Sequence, residues 1–151
     1  MCSSDLLYVQ GIDSGQGKAI SPEGIDVGLP GFAISPDGKW VAAIQSDRKG
    51  ALFPIDGGTP RPFSGVEPGE YPLRFTPDGK SLYLWKRGDV PARVTRLEIE
   101  TGKREPFKSL IPADPAGIER ISNVVVTPDG KGYAYCYTRL LSDLFVVEGL
   151  K

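Results

Sequence analysis

Ser35-Pro36-Asp37-Gly38-Lys39 decides the fold, because it returns as Thr76-Pro77-Asp78-Gly79-Lys80 and again as Thr127-Pro128-Asp129-Gly130-Lys131. The three prolines are spaced by 41 and 51 residues. Proline in the second position presets φ for a type I turn. Aspartate tolerates the bridge region that follows. Glycine then takes the left-handed conformation that closes a hairpin with a bulge. Each copy is therefore a hairpin tip. The aspartates are turn-formers spread along a rim rather than a convergent catalytic or metal-binding set.

Two further registers repeat with a similar period. An acidic turn follows an apolar residue at Ile12-Asp13-Ser14-Gly15, Ile55-Asp56-Gly57-Gly58 and Ile99-Glu100-Thr101-Gly102. Its glycines are spaced by 43 and 44 residues, and Glu148-Gly149 reads as a fourth copy. Gly24-Ile25, Gly65-Val66 and Gly117-Ile118 precede Asp37, Asp78 and Asp129 by 13, 13 and 12 residues. Runs of strand character flank every tip: Phe32–Ser35 and Trp40–Gln45, Leu73–Thr76 and Ser81–Lys86, Val124–Thr127 and Tyr133–Thr138. Tyr133, Tyr135 and Tyr137 alternate with Ala134 and Cys136, a period of two.

One repeat thus reads strand, Pro-Asp-Gly hairpin, strand, polar loop, strand, acidic-Gly turn, strand, loop. Four antiparallel strands in about 40–45 residues make one blade of a β-propeller. A β-sandwich would need no such repeat. The expected fold is all-β: an open arc of about three blades within a single partial propeller, strands A to D running outward from the axis. Residues 6–21 supply strands C and D of a first blade, at Leu6–Gln10 and Gly17–Ser21. Residues 31–64 and 71–110 are whole blades. Residues 122–151 supply A, B and C of the last, with C at Asp143–Val147. The apolar residues that end each strand A, namely Ile34, Phe75 and Val126, are expected to share one buried position.

Composition limits the chemistry. The 151 residues include 19 Gly and 14 Pro, too many breakers for long helices. There is no histidine, which removes the commonest general base and zinc ligand. A net charge of -1 argues against a nucleic-acid partner. The first residues lack the basic and apolar regions of a signal peptide, and no run approaches the roughly 20 apolar residues of a membrane-spanning helix. Cys136 is expected to behave as a small buried hydrophobe. Trp40 and Trp85 are expected to fill space between sheets. Gly11–Gly17 lacks the Gly-Lys-Ser/Thr ending of a phosphate-binding loop. No catalytic, cofactor-binding or metal-binding residue is expected.

Recognition is expected at the opposite end of the blades from the Pro-Asp-Gly tips. There the B–C and D–A loops vary in length, and variable loops on a rigid scaffold are where repeat proteins bind. The candidate residues are Asp47, Arg48, Glu70, Arg87, Asp89, Arg93, Glu119 and Arg139.

The segment from Ser35 to Ile44, with its copies at Thr76 and Thr127, resembles the bacterial TolB-like, WD-type propeller repeat. The ending from Tyr137 to Lys151 is similar to the C-terminal propeller sensor domain of bacterial receptor-type serine/threonine kinases. These resemblances imply a non-enzymatic binding or sensor module within a larger bacterial protein of the periplasm or cell envelope. Its partners would be the remainder of the parent propeller and a protein or small ligand that the sequence does not name. Such propellers also gate the catalytic domain of prolyl-oligopeptidase-like peptidases, the alternative reading. The kinase Gly-rich loop, His-Arg-Asp and Asp-Phe-Gly are all absent, as is a Gly-x-Ser-x-Gly elbow.

Overall fold

The three hairpin tips close on their own atoms in the computed structural model, which describes residues 5–13, 15–26 and 31–142. Gly38, Gly79 and Gly130 have φ of 70°, 69° and 70°. The Gly38 amide donates to the Ser35 carbonyl at 2.9 Å, and Gly79 and Gly130 do the same to Thr76 and Thr127. The Ser35 hydroxyl donates to Asp37 Oδ1 at 2.6 Å and accepts from the Trp40 amide at 2.9 Å. Asp37 Oδ1 also accepts from the Lys39 amide at 3.1 Å. Thr76 with Asp78, and Thr127 with Asp129, repeat this arrangement. The requirement for Ser or Thr at the first position is thus chemical: one hydroxyl bridges the turn carboxylate and the start of strand B. That hydroxyl and the following lysine amide hold all three aspartates below the usual carboxylate range.

Among the described residues, twelve strands form four antiparallel sheets. The first sheet has β1 (Tyr8–Val9) and β2 (Lys18–Ala19). The second has β3 (Phe32–Ile34), β4 (Trp40–Ile44), β5 (Gly50–Pro54) and β6 (Arg61–Phe63), in that spatial order. The third has β7 (Glu70–Phe75), β8 (Ser81–Lys86), β9 (Ala92–Glu98) and β10 (Arg104–Leu110) in the same order. The fourth has β11 (Ile118–Val126) and β12 (Tyr133–Arg139). No helix occurs among the described residues. In such meanders alternate connections share an end, so the Pro-Asp-Gly tips and the acidic turns lie together and the B–C and D–A connections lie opposite. The third strand expected at Asp143–Val147, the turn at Glu148-Gly149, and part of the 22–30 loop fall outside the described residues.

The facing sides of consecutive sheets bury one another. Leu7, Ile20 and Ile25 pack on Val41, Ala43 and Phe53, between the first two sheets. Ala42, Leu52 and Phe63 pack on Phe75, Leu82 and Leu97, between the second and third. Tyr83, Trp85 and Val94 pack on Ile121, Val124 and Val126, between the third and fourth. Trp85 is fully buried in this last seam, and Trp40 is partly buried against the middle one. A bulge in β11 between Ser122 and Val125, with Asn123 at φ 51°, turns both Ile121 and Val124 onto the buried side.

Two expectations about burial are corrected. Phe75 and Val126 are 3% and 5% exposed, but Ile34 is 57% exposed. All three face the preceding blade. Phe75 and Val126 find four-stranded sheets there, whereas among the described residues the first sheet has only β1 and β2 to set against Ile34. Cys136 is exposed, because it pairs with Ser122 on the far side of β12 from the Val126 face, and no described strand lies over that side.

Two outcomes test the tips. A Cβ at Gly38 would meet nothing within 4 Å, but at Gly130 it would lie 2.6 Å from the Tyr83 hydroxyl oxygen. Gly38→Ala should cost only the left-handed penalty of about 1–2 kcal/mol in urea unfolding. Gly130→Ala should cost more, and a Tyr83→Phe background should narrow the gap; equal costs in both backgrounds would refute the contact. The depressed aspartates bind fewer protons folded than unfolded. They therefore stabilise above the usual carboxylate pKa, and that contribution is lost as pH falls below about 4. The Asp37→Asn/Asp78→Asn/Asp129→Asn variant should lose stability more gently with acid than the wild type. Parallel stability–pH curves would remove the turn carboxylates from that role.

Candidate recognition surfaces

The eight residues expected on the loop-rich end divide sharply. Asp47 and Arg48 are exposed in the β4–β5 turn, Arg48 with φ 68°. Asp47 accepts from the Lys49 amide and ion-pairs with its ammonium at 2.9 Å. Arg87 lies 5.5 Å above the Tyr71 ring, and Asp89 sits 3.5 Å from the Arg93 guanidinium. Tyr71 itself is raised above the usual phenol range by burial and by its bond to Asp26.

Four of the eight are not loop residues. Arg93 lies in β9, Glu119 in β11, and Arg139 ends β12, because pairing with β10 and between β11 and β12 runs further than the loop composition indicated. Arg139 is spent on Asp114 at 3.0 Å and on the Tyr137 ring. Glu70 opens β7 and is only 3% exposed. Its carboxylate accepts two bonds of 2.8 Å from the Arg104 guanidinium and a third, also of 2.8 Å, from the Glu67 amide. It is a structural carboxylate rather than a recognition residue. Burial alone is unfavourable for such a group, so the pairing is what permits it. The Glu70 bond in turn raises the Arg104 guanidinium, which stays charged.

Around this pair the third sheet carries a cleft of about 490 Å³. Lys86, Arg93, Arg104 and Lys108 line it against Glu67 and Glu70, and Phe107 supplies an apolar wall. Arg104 neutralises Glu70, and Glu67 lies 3.3 Å from Arg104 and 3.9 Å from Lys86. With Asp89 paired to Arg93, four cations stand against three carboxylates in and beside the cleft, a positive excess of one. A second cleft of about 340 Å³ opens at the tip end, between the Asp37 and Asp78 turns, with Trp40, Arg61 and Glu100 around it. Among the described residues no group of three acidic or cysteine side chains is placed to hold a metal ion.

The tip end carries a second device that sequence reading missed. Lys18, Arg61 and Arg104 begin β2, β6 and β10, opposite Val9, Leu52 and Leu97. Their spacings of 43 and 43 residues were visible in the sequence. Lys18 donates to the Asp56 carbonyl in the acidic turn of the next blade, and Arg61 reaches the Glu100 carboxylate in the one after. The acidic turns are therefore docking points for the preceding blade. Arg104 turns instead to Glu70 and the Gly65 carbonyl.

No protein-family profile and no curated protein matches the sequence. Solved structures do match in shape. The TolB of Acinetobacter baumannii superposes with a TM-score of 0.65 at 17% identity, over 93% of this chain and 34% of that one. A TolB-assigned protein of Agrobacterium tumefaciens superposes with a TM-score of 0.56 at 24% identity, over 91% of this chain and 52% of that one. The fold is therefore a TolB-like β-propeller, of which this chain spans about a third to a half of the length of these neighbours.

The Glu70–Arg104 pair carries an asymmetric expectation. Arg104→Ala strands a buried carboxylate and should cost about 3–5 kcal/mol in denaturant unfolding. Glu70→Ala leaves an arginine that is already 26% exposed and free to rehydrate, so it should cost less. The reverse order would refute the structural role given to Glu70.

Proposed function

We propose that the chain is a non-catalytic recognition module, formed of TolB-like propeller repeats of a larger bacterial protein of the cell envelope. The parent proposed here is a receptor-type serine/threonine kinase, of which these repeats form part of the sensor. The Tyr137–Lys151 resemblance supports that parent, and the propeller fold supports the binding role. The observation that carries recognition is the cleft of Lys86, Arg93, Lys108 and Phe107. It runs along the β9–β10 face of a four-stranded sheet to Lys86 and Glu70 at the loop-rich end, and its carboxylates are engaged by Arg104 and Lys86. An acidic protein segment or a small anionic ligand with an apolar portion fits that lining.

A fluorescent polyglutamate peptide is the first probe. It should bind with an affinity that falls as salt rises, and Lys86→Ala/Arg93→Ala should weaken it about tenfold or more. Equal binding by the variant, or preference for polylysine, would overturn this site. A kinase domain upstream in the same reading frame would support the parent; a hydrolase domain downstream would replace it with the gating role.

A further inference from the structure

The cleft between the Asp37 and Asp78 turns lies between two four-stranded sheets, so neither end of the chain contributes to it. Its 340 Å³ fall within the range of small-ligand sites, roughly 300–1,000 Å³. Buried Leu52, Phe75 and Ile99 give it an apolar base, and Trp40 lines it partly exposed. That tryptophan is particular to this repeat. It directly follows its Pro-Asp-Gly-Lys tip, where the next two repeats carry Ser81 and Gly132. The cleft beside Ser81, lined also by Arg96, Glu98, Lys103 and Glu105, has no aromatic wall.

The polar groups of the cleft are fixed before any ligand arrives. Asp37 and Asp78 each spend Oδ1 inside their own turn, on the Ser35 or Thr76 hydroxyl and on the following lysine amide. Oδ2 of each accepts no hydrogen bond among the described residues. Each turn thus holds a carboxylate in one orientation with an acceptor to spare, so little ordering is required on binding. Arg61 engages Glu100 through Nη2 and keeps further N–H donors. The charges are matched: Arg61 pairs with Glu100, Lys39 faces Asp37, and Lys80 and Arg96 face Asp78. No carboxylate is left uncompensated to draw in a cation. An aromatic wall, fixed acceptors and spare donors without a free charge suit an uncharged ligand that has an apolar face and a rim of hydroxyls. We infer that this cleft binds a saccharide, one ring face on Trp40 and its hydroxyls bonded to Asp37, Asp78 and Arg61. The site is separate from the Lys86 cleft and does not rest on the role proposed for it.

Trp40 supplies the readout, because Trp85, the other of the two tryptophans, is fully buried. The probes are glucose-based and N-acetylglucosamine-based di- and tetrasaccharides. At least one should protect Trp40 saturably from acrylamide quenching and give saturation-transfer NMR signals with the full chain. Trp40→Ser, which installs the residue of the next repeat, should abolish those signals, and Trp40→Phe, which keeps an aromatic face, should retain them. Asp37→Asn should weaken binding about tenfold with an unchanged circular dichroism spectrum. Lys86→Ala/Arg93→Ala should bind the sugar as the wild type does. Protection by no member of the panel, sugar signals that persist in Trp40→Ser, or stronger protection of Trp40 by polylysine or polyglutamate would each overturn the inference.

Discussion

A propeller sheet has two apolar faces and cannot bury both alone; everything else in this structure follows from that constraint. Four strands give a sheet that is greasy on each side, and only another sheet can cover a surface of that size. The seams here hold Phe53, Leu84 and Trp85 at nearly zero exposure, each between consecutive repeats. Stability is therefore a property of the stack rather than of the blade, as in other repeat architectures. The same constraint explains the exceptions. Ile34 is chemically the same kind of residue as Val126, and its exposure reflects the two strands, rather than four, that the described residues set before it.

Polar groups occupy the ends and outer edges of this stack, where they set geometry more than energy. Surface pairs such as Arg61–Glu100 are worth about 0–1 kcal/mol each. Lys18 and Arg61, at equivalent starts of successive outer strands, each tie one blade to the acidic turn of the next. The Glu70–Arg104 pair differs, because Glu70 is out of water, and it pins the connection between two blades to the outer strand of the second.

The sequence disclosed most of the architecture because the repeat encodes it three times over. Pro-Asp-Gly at 36–38, 77–79 and 128–130 fixes backbone conformation locally, and local chemistry is what a single sequence displays. Burial is a relation between segments distant in the chain, which is why Ile34 and Cys136 read wrongly. Glu70 misled for a related reason. A glutamate beside Gly69 looks like a loop residue until Arg104, on a strand 34 positions later, is known to reach it. The recurrence of Lys18 and Arg61 was legible in its spacing but gave no hint of their partners, whose positions depend on blade packing.

The self-sufficiency of the hairpin tips bears on how such a protein grows over evolutionary time. Every hydrogen bond that closes the Ser35–Trp40 tip comes from within those six residues, so a duplicated stretch of gene carries its own finished end wherever it is inserted. What a new copy must find is a neighbour on each side, and any other copy of the same unit provides one. Lengthening by whole repeats is thus tolerated, while the connections at the opposite end, which no turn chemistry dictates, are free to diverge toward new ligands.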